Sequence, residues 1–494
     1  MLTRRQFLIG SAILACWPTG CVRRLVEPDG IPVNDIHSQL NLTHVARVVR
    51  PDSVESLQKI VRTAQREGKA ISIAAGRHAM GGQQFGKGTI LIDMAGLNRV
   101  LGFDAAKGQV RVEAGIQWPE LIADLLRRQD GQTPQWGIIQ KQTGADRLSL
   151  GGALSANIHG RGFRLKPIIA DVESFELLDD GGALRTCSRG ENSELFRLAI
   201  GGYGLFGIIT SVTLRLERRR RLERVVEVIP AANLTSAFEQ RIAEGFQYGD
   251  FQYATDDSSD DLLRRGVLSC YRPVEAGRAA PEGHKELSEA DWDRLFYLSH
   301  VDKKRAFEEY SRYYLSTSGQ LYWSDTHQLS LYLDNYHERL DRRLGSTEKG
   351  SEMITEIYVR RTALGRFLED VRKDFRANKV DLIYGTIRLI EKDDESFLAW
   401  AKEAYACVIF NLHVVHDPQG LERSARAFRR LIELAIPYGG SYYLTYHRWA
   451  TRRQVETCYP QFTEFLRMKR RYDPTERFQS DWYRHYRDMF QEVL

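Results

Sequence analysis

Three glycine-rich turns, each joined to a run of β-forming residues, do most to limit what this 494-residue chain can fold into. The first is Gly76-Arg77-His78-Ala79-Met80-Gly81-Gly82-Gln83, between the β-type runs Ala70–Ala75 and Thr89–Asp93. The second lies in Leu148–Gly160 and contains Gly151, Gly152, Ser155, Asn157 and His159. The third, Gly201–Gly207, leads into the strand-like run Ile208–Leu216. Glycine accepts positive φ and lets another backbone or a ligand come close. Backbone amides in such turns hold pyrophosphates. A single turn of this kind is more often a tight corner than a phosphate loop, but three together point to one large phosphorylated ligand. None is a G-x-G-x-x-G between strand and helix with an acidic residue to follow, which counts against a Rossmann dinucleotide site.

The surrounding pattern alternates helix and strand. Val54, Leu57, Ile60 and Val61 fall at helical spacing behind Asp52 and Ser53, predicting a helix over Ser53–Gln65. Gly108–Ala114 reads as a strand, Trp118–Arg128 as a helix, and Glu173–Asp179 with Gly182–Arg185 as a hairpin around Asp180-Gly181. Glu194–Ile200 is again helical. Such units predict an α+β or α/β domain. Arg215–Arg224 is dense in arginine and reads as a solvated strand edge or linker, with a second domain opening at Val225–Val228. Beyond it, β-type runs at Met353–Val359, Leu382–Leu389 and Val408–Val414 alternate with helical patterns at Leu364–Phe375 and Leu421–Ala435, predicting an antiparallel sheet covered by helices.

Composition excludes several classes. With 43% hydrophobic and 27% charged residues, the chain has ample material for sizeable cores. The net charge of +5 is spread among Arg–Glu neighbours, so no nucleic-acid footprint is expected. The six cysteines form no C-x-x-C pair, and no metal site is expected from them. Residues 1–30 read as an address: Arg4 and Arg5 precede the apolar run Phe7–Cys16, then Pro18, Thr19 and Gly20 break it. Thr3–Leu8 is similar to the bacterial twin-arginine export signal, which serves proteins that fold, and load cofactors, before crossing the membrane. A periplasmic or otherwise exported location follows as an expectation. Cys16 or Cys21 is a candidate lipidation site after cleavage, with peripheral membrane association, and an ordinary N-terminal helix with two chance arginines is the competing reading.

The segments Pro51–Gln65, Ala74–Gln83, Thr89–Asp93, Leu148–Gly160 and Gly201–Thr210 occur in the order found in the vanillyl-alcohol oxidase superfamily, which has the p-cresol methylhydroxylase (PCMH) type of FAD-binding domain. The resemblance returns in Tyr472-Asp473-Pro474 through Phe478, similar to the Y-D-P-x-x-x-F tail of many members. It is nearest to the alditol oxidase, sugar-lactone oxidase and decaprenylphosphoryl-ribose oxidase branches. The resemblance implies an α+β fold: a PCMH-type FAD-binding domain at residues 31–222, an α+β substrate-binding (cap) domain at 223–440, and a C-terminal segment at 441–494 that returns to the first. It implies that Gly76, Arg77, His78, Ala79, Met80, Gly81, Gly82 and Gln83 wrap the FAD pyrophosphate. Gly151, Gly152 and Ser155 would lie along the flavin's other side, Gly202, Gly204 and Gly207 near the adenine end, and Thr143, Asn157 and Ile208 also belong to the cofactor set. His78 matches the histidine that histidyl-flavin members bond to the flavin 8α-methyl carbon. Gln142–Ser149 contains no cysteine, so one covalent link is expected, not two.

For catalysis the resemblance singles out Arg388, which in the sugar-alcohol oxidase branch faces flavin and substrate; a surface arginine on an amphipathic strand is the competing reading. Gly385 marks a bulge or a close approach. Tyr443, Tyr446 and His447 match a segment where related sugar oxidases carry a histidine, a tryptophan and a lysine. With Trp449 matched to the tryptophan, the lysine falls on Thr451, and Gly439–Gln454 has no lysine at all, so the base is a tyrosine, a neighbouring histidine, or neither. His159 matches a flavin-proximal position in the decaprenylphosphoryl-ribose oxidase branch. Trp323, Asp325, His327, Tyr332 and Tyr336 read as a helix packed on the core or, alternatively, a lid. The expected activity is oxidation of a CH–OH group in a small polyol, sugar or lactone, with oxygen or a respiratory carrier taking the electrons. An NADPH-dependent reductase of the enolpyruvyl-reductase kind and a non-enzymatic flavin-binding protein are the alternatives.

Overall fold

The computed structural model describes residues 30–142, 144–275, 284–329, 333 and 335–494. The segment Met1–Asp29, with its export-signal reading and Cys16 and Cys21, lies outside the described residues, as do Thr143 and Tyr332.

The N-terminal half holds two larger sheets besides the short antiparallel pair Ile31–Val33 and Thr43–Val45. Strands Arg47–Val49, Ile90–Asp93 and Ile71–Ala74 form a small parallel sheet, with Ile90–Asp93 in the middle. Helix Val54–Arg66 makes the crossover that parallel pairing requires. Ser53 caps it through a reciprocal bond with Ser56 and buries its Leu57, Val61 and Ala64 stripe. The second sheet is antiparallel and runs Leu184–Ser188, Val172–Leu178, Ile208–Arg218, Gln109–Glu113, Val100–Asp104, with Trp136–Ile138 extending the far end of the long central strand. The Asp179 carboxylate accepts Gly181 N–H and Ala183 N–H, which closes the hairpin between Val172–Leu178 and Leu184–Ser188.

The second half carries an eight-stranded antiparallel sheet. Its order is Leu321–Trp323, Arg221–Pro230, Arg265–Pro273, Tyr248–Tyr253, Leu382–Ile390, Tyr405–Val415, Gly350–Arg360, Ser441–Tyr442. The period-2 alternation of strands sorts its two faces. Ile357, Ile387, Val408 and Phe410 point one way, and Phe410 meets Phe375 and Phe367 of helix Leu364–Asn378 at ring distances of 5.6 and 6.5 Å. Helix Pro418–Ala435 lies beside it and buries Phe428, Leu431 and Ile432. Glu356, Tyr358, Arg388 and Cys407 occupy the opposite face, where the N-terminal half covers them. The chain is thus an α+β protein with a helix-covered antiparallel sheet.

Gly385 lacks a side chain for a specific reason: a Cβ would stand 1.8 Å from the Tyr253 hydroxyl, which caps the Ile409 carbonyl. The register irregularity of that strand lies just before it, between Leu382 and Tyr384. The arginine run differs from its solvated reading. Arg215 and Arg220 form half-exposed pairs with Glu173 and Glu217, but Arg219 is buried against Asp325 at 2.7 Å, and Arg224 is buried against the Tyr271 hydroxyl. These two arginines look inward because carboxylate and phenol partners await them. Asp325 and His327 are likewise buried, and His327 packs on Tyr248 and Tyr271, so these two residues belong to packed structure rather than to a mobile cover.

The C-terminal helices Arg452–Cys458, Phe462–Tyr472 and Asp481–Met489 return to the first half. The Asp473 carboxylate accepts Arg477 N–H at 2.7 Å and Phe478 N–H at 2.8 Å and pairs with the buried Lys469. That turn presents Phe478 alongside Ile71 as an added parallel bridge at the edge of the small sheet.

Candidate active site

A cleft of about 220 Å³, open at its mouth, runs between the two larger N-terminal sheets and under the cap sheet. All three glycine turns reach it. Of the residues singled out from sequence, Gly76, Arg77, His78, Ala79, Met80, Gln83, Gly151, Gly152, Ser155, Gly204, Gly207, His159, Arg388, Tyr443 and Tyr446 line it.

The turns are fixed largely by backbone. Met80 N–H donates to the Thr445 carbonyl at 3.2 Å, and the Gln83 amide spans to the carbonyls of Leu444 and Thr445. Gly151 N–H donates to the Ala114 carbonyl at 2.7 Å, and a Cβ there would press on Ala114 at 2.9 Å. Gly204 and Gly207 adopt φ of +73° and +142°, which L side chains avoid. On the open side, a Cβ on Gly144 would meet no atom of the described residues within 4 Å, and one on Gly152 only the Ser149 hydroxyl. Side chains at these positions would therefore occupy the cleft itself. This is the arrangement expected of a cradle for a long ligand with phosphate oxygens, and FAD fits its chemistry.

His78 stands on this wall, its ring 5.3 Å from that of His37. Burial and the neighbouring His37 hold its pKa down to about 3, so the imidazole is neutral. Its Nε2 lies 3.2 Å from the Arg147 carbonyl. A carbonyl only accepts, so Nε2 carries the proton and Nδ1 the lone pair.

The cap contributes side-chain chemistry. Glu356 is 4% exposed and its carboxylate is the hub. One oxygen accepts the Tyr446 hydroxyl at 2.7 Å; the other accepts the Tyr358 hydroxyl at 3.0 Å and meets His159 Nε2 at 2.9 Å. Burial works to raise its pKa, but His159, Arg388 and Tyr446 prevail and hold it at about 2. Glu356 is therefore ionised at neutral pH. Arg388 lies across the sheet, in register with Cys407, which in turn faces Tyr358. Its Nε is buried without a hydrogen-bond partner among the described residues, a donor left over at the cleft wall. Tyr446 is pushed well above the usual phenol range by burial and Glu356, and Tyr443 by burial, Tyr203 and Glu356. Both phenols are donors at neutral pH, Tyr443 to the Ala156 carbonyl at 2.6 Å, and neither serves as a base.

Several singled-out residues stand elsewhere. His447 is behind the wall, stacked among Phe428, Tyr442 and Trp449, its Nε2 3.3 Å from the Thr355 hydroxyl. Burial and Arg429 hold its pKa at about 3, so it is a neutral core histidine and not a cleft base. Asn157 ends helix Leu150–Ala156 in the left-handed conformation with its side chain turned away, donating to Asp393 at 2.8 Å and accepting Ile169 N–H. It ties the two halves together. Gly202 is packed on the end of helix Ser193–Ala199, where a Cβ would stand 2.1 Å from the Leu198 carbonyl. Ile208 is core, and its neighbour Ile209 takes the place at the cleft. Gly81 and Gly82 support the first turn from behind: Gly81 N–H donates to Gln83, and the Gly82 carbonyl accepts Trp482 N–H.

Sequence reading missed Glu356. Its signal was present, since Glu352 and Glu356 stand four apart in a strand otherwise rich in apolar residues, and acids at such positions need partners.

Comparison with known proteins agrees with this geometry. Residues 45–188 match a family described as an FAD binding domain. The chain is 24% identical over 452 residues to an L-gulono-1,4-lactone dehydrogenase of Mycobacterium tuberculosis, covering 88% of this chain and 95% of that protein. It is 31% identical over 167 residues to the L-gulonolactone oxidase of Bos taurus, covering 34% and 36% respectively. A mitochondrial L-galactono-1,4-lactone dehydrogenase 1 of Oryza sativa subsp. japonica is 29% identical over 195 residues, 40% of this chain and 32% of that one. With a glycine-built cradle facing a carboxylate–arginine wall, the chain carries an FAD-binding domain, is similar to the sugar-lactone oxidases and dehydrogenases, and is an FAD-dependent oxidoreductase.

Proposed function

We propose that the protein oxidises a CH–OH group of a small sugar lactone, sugar or polyol to a carbonyl, with Arg388 and Glu356 organising the substrate side of the cleft. The observation that carries this is the meeting, in one cleft, of the glycine cradle with an ionised, buried Glu356 and an arginine that has an unused donor. The 1,4-lactones named for the relatives support the substrate class. Bound FAD supplies the two-electron sink that accepts hydride from the carbinol carbon. Arg388 donates to the substrate oxygen as its proton passes to solvent through the open mouth of the cleft. Glu356, at a pKa of about 2, is a poor base at neutral pH; it acts by accepting the Tyr446 hydroxyl and His159 Nε2, which fixes both side chains beside the substrate. The relatives carry both oxidase and dehydrogenase names, so the electrons go to oxygen or to a respiratory carrier.

His78 holds the flavin covalently in this reading. Its place on the cleft wall, its neutral ring and the Nδ1 lone pair are what a bond to the 8α-methyl carbon needs. The twin-arginine-like Thr3–Leu8 directs the loaded protein out of the cytoplasm, and a lipid on Cys16 or Cys21 would hold it at the membrane.

Anaerobic mixing with a panel of 1,4-lactones, sugars and polyols tests the activity: one or more should bleach the flavin, and reoxidation by oxygen against a quinone then identifies the acceptor. Bleaching by NADPH alone, or by nothing, defeats it. Acid precipitation should leave the colour on the protein, with flavin mass on the peptide containing His78. Replacing Arg4 and Arg5 by lysine should keep the protein in the cytoplasm, and secretion unchanged by that replacement would remove the export reading.

A further inference from the structure

The chain has 12 histidines, and three of those outside the cleft meet at one place. His300, His337 and His413 converge on one buried carboxylate, Glu352, which is 3% exposed. His300 comes from helix Glu289–Val301, His337 from helix Tyr336–Leu344, Glu352 from strand Gly350–Arg360 and His413 from strand Tyr405–Val415.

We propose that His300, Glu352 and His413 bind a divalent first-row transition metal ion, zinc by the character of the donors.

The geometry separates the two carboxylate oxygens. Oε2 is held by the Tyr336 hydroxyl and approached by His337 Nδ1 at 2.9 Å. Oε1 faces His300 Nε2 at 3.1 Å and His413 Nδ1 at 3.9 Å, and the three donor atoms all lie within 4.8 Å of one another. The His300 and His413 rings stand at 90° with centroids 4.9 Å apart, so their nitrogens converge without stacking. A tetrahedral ion with bonds of about 2.0–2.2 Å holds neighbouring ligands about 3.3–3.6 Å apart, a value the observed 3.1 and 3.9 Å bracket. A hydrogen-bonded network explains the site less well. The separation of 3.9 Å exceeds a hydrogen bond, and His413 Nδ1 is buried with no hydrogen-bond partner among the described residues. The outer oxygen tied to Tyr336 is the support that a ligating carboxylate receives. Asp341 and Asp381 lie close enough to His413 to add negative charge, which favours a cation. Two imidazoles and one carboxylate suit zinc rather than calcium or magnesium, and leave a fourth position for water.

The ion would join helix Glu289–Val301 to two neighbouring strands of the cap sheet. Glu352 and Glu356 share one face of the same strand, about 13 Å apart by strand rise. The clamp would therefore brace the cap immediately beside the cleft without touching the reacting atoms.

The test uses the full flavin-loaded protein, produced without a histidine tag. As isolated it should hold one zinc per chain. After dialysis against a chelator, cobalt(II) should restore one equivalent, with visible bands beyond the flavin's absorption, and zinc should raise the thermal unfolding midpoint. His300→Asn combined with His413→Asn should abolish binding while the ratio of flavin to protein absorbance stays unchanged. His337→Asn should keep the stoichiometry and weaken affinity about 10–100-fold. Wild-type protein that takes up neither zinc nor cobalt at micromolar concentration overturns the proposal, as does uptake that persists undiminished in the double variant.

Discussion

The two walls of the cleft are built from different materials. The N-terminal wall is mostly backbone: turns whose amides and missing side chains make room for a long ligand. The cap wall is side chain, with Glu356, Arg388, Tyr443 and Tyr446 delivered by separate strands and loops. A backbone wall binds any ligand with the right phosphates and says little about the reaction. A side-chain wall decides which oxygen is held and where charge is tolerated. Binding of cofactor and choice of reaction are thus divided between the two halves.

That division makes predictions, of which the largest concerns Arg388. Arg388→Met should lower the rate of anaerobic flavin reduction about 10²–10³-fold, the scale for losing one charge-stabilising donor, with flavin content unchanged. Loss of the flavin together with the rate would break the comparison. Next comes the cradle. Gly152→Val places a branched side chain into open cleft, since a Cβ there meets only Ser149; flavin content should fall about tenfold while helix content by circular dichroism holds, an order-of-magnitude expectation from losing about 1.4 kcal/mol of binding. Glu356→Gln keeps the shape of the hub but removes its charge. Flavin reduction should slow about tenfold, roughly one pKa unit's worth of interaction, again with normal flavin content.

The smallest effect on activity belongs to His447, and its signature is pH dependence of stability. The native ring stays neutral down to about pH 3, whereas the unfolded one takes a proton below its ordinary pKa of 6.5. Acid therefore favours unfolding, and the stability that neutral His447 confers is present above pH 6.5 and lost as pH falls toward 3. His447→Gln should be destabilised at pH 7, and that deficit should shrink by about 2 kcal/mol at pH 5, measured by denaturant unfolding. A deficit independent of pH would return His447 to the candidates for a titrating role.

The same contrast governs what could be read from the chain. Glycine turns are contiguous, so their pattern, and the strands and helices that flank them, are visible in a linear reading. Glu356 and Arg388 are 32 positions apart by number and meet because Cys407 and Ile409 of the strand between them set the register. No local pattern encodes that meeting, and only a family likeness singled out Arg388. Asn157 and His447 show the opposite failure. Each sits inside a motif, but a motif does not say which way a side chain points. The left-handed turn at Asn157 sends its amide to Asp393, and the aromatic shell of Phe428, Tyr442 and Trp449 encloses His447. Glu352 was likewise hidden, because its three histidines reach it from three other elements only after the cap has folded.

The carboxyl-terminal return has a consequence for biosynthesis. Translation proceeds from the amino end, so the turn at Met80–Gln83 emerges long before Leu444 and Thr445, whose carbonyls hold it, and before Phe478 and Trp482, which brace the strand and turn behind it. A nascent chain thus displays its glycine turns without the groups that set their shape. Cofactor capture belongs to the released polypeptide, and ribosome-arrested chains that stop short of Tyr443 should carry no flavin.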